Sequence, residues 1–222
     1  YNLLRDRQFS RVILIGPSHK LRFKGASVNL QQGYRTPLGP VTVDRWFGRR
    51  LAEASEDIRW VPDAHMGENA LELQLPFLQE VLRDFKIVPV LMGRQDFSSC
   101  QSLADAIMGI LGNGRGTLIL SSSDLSHYHP YQTARDLDLQ LIEQLKEMAP
   151  EAFAAGLAQG NYEACGGGAI VTGLLMAKER GANVVQVLRY ANSGDILGDK
   201  RRVVGYVSAA FVRSSGTGPP PP

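Results

Sequence analysis

An α/β domain, with a mostly parallel or mixed central sheet and helices on both faces, is the fold class this sequence predicts. Three observations carry that expectation. Several short runs are apolar on every residue rather than on alternate ones, as strands buried on both faces are. Stretches with helical periodicity separate those runs, the alternation of a layered α/β fold. The 222 residues are 44% hydrophobic and 21% charged, enough apolar material for one well-filled core.

Taken in order, Tyr1-Asn-Leu-Leu4 reads as the tail of a helix already under way, so the domain is expected to be truncated at its beginning. Arg11–Gly16 is the first apolar run, closed by Gly16-Pro17. Leu71, Leu75, Leu78, Leu82 and Phe85 recur at three and four residues and mark one face of a helix. Pro76 inside that pattern predicts a kink or a late helix start. Strands are expected at Lys86–Met92, Thr117–Ser121, Val184–Leu188 and Arg202–Ser208. Helices are expected at Asp96–Leu111, Tyr131–Glu147 and Ala169–Glu179, and another near Pro150, where proline suits a first turn. The expected division is a single domain over 1–213 and a Pro-rich disordered tail over 214–222.

Charge and cysteine usage narrow the function classes. Twenty-four Lys and Arg face 22 Asp and Glu, a net charge of +2, which gives no electrostatic reason to expect nucleic acid or an anionic membrane as partner. The basic run Lys200–Arg202 follows Asp195 and Asp199 and reads as a solvated loop. Two cysteines, Cys100 and Cys165, make a disulfide scaffold unnecessary and favour a reducing, cytoplasmic compartment. No apolar stretch reaches the length of a membrane span. A small molecule or peptide is the expected partner.

The polar residues that bear chemistry cluster on loops. His19 follows the first strand, and Asp124 and His127 follow the strand Thr117–Ser121. Ligands of open parallel sheets bind outside the carboxyl ends of strands, so these loops have a physical reason to converge. Cys165 heads Cys165-Gly-Gly-Gly168 before an apolar helix, where free N–H groups would lower a thiol pKa. Cys100, in a helix start without such a context, reads as structural. His65, Glu68, Asn69 and Glu72 gather near the entry to the amphipathic helix, and His65 and Asn69 would share a helical face. Capping chemistry alone accounts for Glu68 or Glu72, but not for His65. The glycines of Gly112–Gly116 precede a strand instead of following one, so they lack the mechanism of a dinucleotide loop.

Leu14-Ile-Gly-Pro-Ser-His19, Glu68-Asn-Ala-Leu-Glu-Leu-Gln-Leu-Pro-Phe-Leu-Gln79, Ser122-Ser-Asp-Leu-Ser-His-Tyr128, Cys165-Gly166 and Tyr190-Ala-Asn-Ser-Gly-Asp195 occur in one fixed order. Together they resemble the MEMO family, whose microbial members are called AmmeMemoRadiSam system protein B. The resemblance runs from Val12 to Phe211. It implies the fold of the class III extradiol (LigB-like) non-haem iron dioxygenases. It also implies metal ligation by His19 and Cys165, with Asp124 a further ligand or pocket residue and His127 lining the same pocket. Another family ligand is the His of a Glu-His-Ser-(Leu/Ile)-Glu segment, and Asn69 stands at that position here. An amide oxygen is a poor substitute for imidazole towards Fe or Cu, which leaves His65, one turn away, as a possible replacement. The family's Pro-His-Ala-Gly-Tyr strand end is missing from this sequence.

Three functions follow. The first is an Fe(II)- or Cu-dependent redox or dioxygenase-like protein in which Asp124 and His127 act catalytically and His127 shuttles protons. The second is a non-catalytic binding or scaffold protein, in keeping with a family whose animal member is associated with signalling. The third is a thiol hydrolase with Cys165 as nucleophile and His127 as base.

Overall fold

The first apolar run becomes a strand with a parallel neighbour on each side. In the computed structural model, which describes residues 1–214, the chain divides into two compact units. One is Tyr1–Ser122 with Gly168–Ile170; the other is Ser123–Gly167 with the chain from Val171 onward. Of the expected tail, only Ser214 is described, and it exchanges hydrogen bonds with Asn183; 215–222 lie outside the described residues.

In the first unit the order is β1 (Arg11–Pro17), β2 (Ala26–Val28), β3 (Gly33–Thr36), β4 (Gly39–Thr42), α1 (Arg45–Ala54) and β5 (Ile58–Arg59). There follow α2 (Pro62–His65), α3 (Leu75–Val81), β6 (Lys86–Met92), α4 (Phe97–Leu111) and β7 (Thr117–Ser121). The central sheet runs β5-β2-β6-β1-β7. β1 is parallel to β6 and to β7, β2 is parallel to β5, and only the β2–β6 pairing is antiparallel. The fold is therefore α/β with a mixed, mostly parallel sheet flanked by helices.

Burial explains why the strand runs are uniformly apolar. Val12 and Leu14 on one face of β1 and Ile13 and Ile15 on the other are all without exposed surface. Val12 and Leu14 pack with Leu71, Leu75, Leu78 and Leu82, the stripe that the periodicity marked. Pro76 acts as a late start: a 3-10 turn at Glu72–Gln74 precedes α3, and the proline occupies its first turn. Asp96 caps α4 by accepting the Ser99 N–H, and Cys100 is buried inside that helix. The expected helix-tail at the chain start is a 3-10 turn, Asn2–Leu4.

The second unit contains β8 (His127–His129), α5 (Tyr131–Lys146), α6 (Pro150–Ala158), α7 (Gly167–Glu179, apart from Gly168–Ile170), β9 (Val184–Asn192), α8 (Ser193–Leu197) and β10 (Val203–Val212). Its sheet is antiparallel, β8-β10-β9, with register shifts at Val203/Val204 and Ser208/Ala209. α5 packs against β9 and β10 through a face that buries Ala134, Asp138, Leu141, Ile142 and Leu145. No helix among the described residues is long and apolar enough to cross a membrane.

Candidate metal centre

His19 and Cys165, the two ligands that the resemblance implied, belong to different units, and each environment has its own chemistry. In the first unit, the chain leaves β1 and turns so that the His19 backbone N–H donates to Glu68 Oε2 at 2.6 Å. Its ring Nδ1 lies 3.0 Å from Glu68 Oε1. The Ala70 N–H donates to that same oxygen at 3.0 Å. In the neutral ring this contact places the proton on Nδ1 and the lone pair on Nε2, the arrangement a metal-binding histidine has when a carboxylate orients it. The Glu68 side chain is 2% exposed against 47% for His19, so the carboxylate is the fixed member. Burial pushes the Glu68 carboxyl up, but hydrogen bonds from the His19 ring, the His19 N–H and the Ala70 N–H outweigh it and hold the group below its usual range. In the sequence, capping chemistry is enough to account for Glu68, and this role is not read there.

The shared helical face expected for His65 and Asn69 does not form. α2 ends at His65, Met66 is extended, and Gly67 takes a φ of +64°, a conformation that suits glycine. Asn69 therefore lies exposed in the irregular stretch before the 3-10 segment. His65 Nε2 meets Ser27 Oγ at 3.0 Å, and its ring rests 5.2 Å from that of Trp60. Burial lowers its pKa to about 4, against smaller upward effects from the Ser27 bond and the Glu68 charge.

In the second unit, the segment after β7 holds Asp124 and His127 three residues apart, and the turn before α7 holds Cys165. Donor atoms of Asp124, His127 and Cys165 all lie within 4.8 Å of one another. His127 Nε2 is 3.8 Å from Asp124 Oδ2, with both side chains partly exposed. The Cys165 sulfur accepts the Asp124 N–H at 3.2 Å and lies 3.9 Å from Ser123 Oγ. Ser123 Oγ accepts the Gly166 N–H and donates to the Asp124 carbonyl, while the Cys165 N–H donates to that same carbonyl. The two segments are thus laced together by backbone bonds that aim the sulfur at the Asp124–His127 pair.

The expected lowering of the Cys165 pKa is corrected by its surroundings. Burial raises the thiol, and the Asp124 charge adds to it; the N–H groups of Asp124 and Gly166 and the Ser123 hydroxyl pull downward without prevailing. Next to this cluster, His129 Nε2 meets both oxygens of Glu163 at 2.9 and 3.0 Å, and the His127 N–H points at Glu163 Oε2 at 3.4 Å. Between the two histidines Tyr128 holds a φ of +62°, a strained conformation for an aromatic residue. Neither Glu163 nor His129 stood out in the sequence.

The Memo-like protein family model matches residues 1–210. The chain belongs to the Memo-like family. Among its relatives, a MEMO1 family protein of Methanobrevibacter smithii is 37% identical over 200 residues, 90% of this chain and 71% of that protein. The Sulfolobus acidocaldarius MEMO1 family protein is 35% identical over 213 residues, 95% of this chain and 75% of its own length. That of Nitrosopumilus maritimus is 32% identical over 213 residues, covering 96% and 77%. Memo-like membership thus spans both units and includes every segment that carries a candidate donor.

Proposed function

We propose that this Memo-like protein binds a transition-metal ion, iron or copper, through Asp124, His127 and Cys165, and that the centre serves redox chemistry of the dioxygenase type. The convergence of a carboxylate, an imidazole and a sulfur within 4.8 Å carries the reading. That donor set fits the group. Thiolate and imidazole suit iron and copper, and carboxylate adds a hard anionic donor. A coordinated thiol is held deprotonated, so the burial that raises Cys165 in the free protein is offset once a cation is bound.

A bound iron or copper ion would supply open coordination positions for substrate or O₂ and a route for electron exchange. The chain's own residues do the rest. The Asp124 N–H stabilises the sulfur's negative charge. Glu163 accepts from the His127 main chain and holds the adjoining strand through His129. The Asp124 carboxylate, 48% exposed, is placed to exchange protons with solvent. In the first unit, His19 with its Glu68 partner is retained as a candidate donor, because its Nε2 lone pair is oriented and its ring is exposed. The raised Cys165 thiol weighs against a metal-free thiol hydrolase, which needs the thiolate unaided.

Metal analysis of anaerobically purified protein, before and after addition of Fe(II) or Cu(I), tests the reading. About one equivalent is expected in the wild type, and it should be lost in Cys165→Ala and His127→Ala. Protein that takes up neither metal, or variants that bind as the wild type does, would overturn it.

A further inference from the structure

We propose that Asp138, a buried carboxylate on α5, is the positioning residue that sets the loop bearing Asp124 and His127, with Tyr190 and Gly205 completing its seat. The inference rests on the metal reading above for its functional meaning, but its geometry stands independently.

Asp138 is 1% exposed and forms no salt bridge within 4 Å among the described residues. A carboxylate in such a place needs hydrogen bonds from neutral donors, and it has two from different elements. Oδ1 accepts the Ser126 N–H at 2.9 Å, and Oδ2 accepts the Tyr190 hydroxyl at 2.8 Å. Ser126 lies between Asp124 and His127. The same short segment is held from the other side by β10: the Leu125 N–H donates to the Gly205 carbonyl at 2.9 Å, and the Gly205 N–H donates to the Ser126 carbonyl at 3.0 Å. Leu125 and Ser126 are themselves fully buried.

The chain therefore turns from Asp124 to His127 through two residues whose amide N–H groups both have fixed acceptors. Gly205 shows how closely the parts fit, since a Cβ there would sit 1.8 Å from Asp138 Oδ2. Only a residue without a side chain lets β10 pass. The acceptor-only carboxylate suits the task because it offers one oxygen to each of two donors arriving from separate directions. Burial and the Asp138 bond both raise the Tyr190 hydroxyl pKa, which keeps it a donor. Removing the carboxylate strands a buried Ser126 N–H and frees the turn that fixes the Asp124–His127 spacing.

Co(II) titration followed by its visible absorption, alongside amide hydrogen exchange of the metal-free chain, tests this. Asp138→Ala should weaken Co(II) binding about 10–100-fold, the range for residues that orient ligands. Tyr190→Phe removes one oxygen and keeps the carboxylate, so the test does not depend on Asp138→Ala folding; it should shift the Co(II) spectrum and speed exchange at Ser126 more than at amides elsewhere in the unit. Asp138→Asn, whose oxygen still serves Ser126 and whose amide can donate to Tyr190, should recover most of the affinity. Wild-type Co(II) affinity and spectrum in both Asp138→Ala and Tyr190→Phe would overturn the proposal. A wild-type chain that takes up no Co(II) counts against the metal reading, which Fe(II) and Cu(I) uptake decides. The exchange arm then decides alone, faster Ser126 exchange supporting positioning and unchanged exchange overturning it.

Discussion

His19, in a loop, and His127, at the start of β8, both stand beside a carboxylate, yet the two pairs are built in opposite ways. Glu68 is buried, grips His19 through ring and backbone at 3.0 and 2.6 Å, and also holds Ala70. Asp124 is half exposed and stands 3.8 Å from His127, beyond hydrogen-bond distance. One carboxylate is spent on orientation; the other keeps its oxygens for something else. A pair that satisfies itself internally stabilises a loop. A pair whose donor atoms converge on a sulfur without bonding each other is what the proposed metal site requires.

The largest effect that separates the two pairs is expected from Cys165→Ala. Outer residues that orient ligands typically cost 10–100-fold in metal affinity, so loss of the sulfur donor should exceed about 100-fold. Calorimetry with Co(II) measures it, with thermal stability of the free protein as the control. Retained binding would remove the contrast, leaving the second pair as ordinary surface.

Glu68→Gln comes next, and its readout is stability. The amide offers one oxygen where three N–H donors now converge on two, so the variant should lose about 1–3 kcal/mol, at roughly 2–4 °C of Tm per kcal/mol for a chain of this size. The sign with pH follows from the shift. Glu68 is held below its usual range in the folded protein, so its stabilisation is present above that range and is lost as pH falls through the depressed value. The wild-type advantage should therefore close on acidification. A gap that stays constant from neutral to acid pH would mean that the carboxylate charge contributes nothing to the His19 loop.

The contrast between the pairs also marks the limit of what the sequence discloses. β1, β6 and β7 are legible because a strand buried on both faces must be apolar throughout, and α3 because its leucines keep one face. Short strands such as β2 and β5 are not, since two or three residues carry no period. Asp124, His127 and Cys165 are visible as reactive types beside strand ends and glycines. Glu68, Glu163 and Asp138 are not, because their meaning comes from partners that are 49, 34 and 12 residues away. Asp138 inside α5 looks like any surface helix residue until the fold buries it. The Cys165 pKa was misjudged for a related reason: the nearby N–H groups are legible locally, while burial is a property of the packed unit.

A third histidine tests whether burial alone, without a carboxylate grip, governs titration. His65 has its pKa lowered to about 4 by burial, and its Nδ1 has no hydrogen-bond partner among the described residues. A group with a depressed folded pKa stabilises fully above its unfolded value and loses that contribution as pH falls through the folded one. The window is therefore pH 6.5 down to about 4. His65→Phe, which keeps a ring beside Trp60, should flatten the fall in stability across that window by about 1–2 kcal/mol after solvent screening. Chemical denaturation at several pH values measures it. An identical slope in both proteins would show that His65 is charged and solvated in the folded state.

Asn69 gives the smallest expected effect and the cleanest edge to the comparison. It lies exposed in an irregular stretch, one residue beyond the buried Glu68 that sets His19. The family resemblance puts it at an expected ligand position; its amide chemistry makes it a weak donor. Asn69→Ala should change stability by less than about 0.5 kcal/mol, as exposed positions do. Co(II) affinity should stay within about threefold, less than 1 kcal/mol. A larger loss of affinity would make Asn69 a ligand in spite of its amide. The two carboxylate–histidine pairs could then no longer be treated as one site of orientation and one of binding, because a donor would have to be counted from the loop that Glu68 organises.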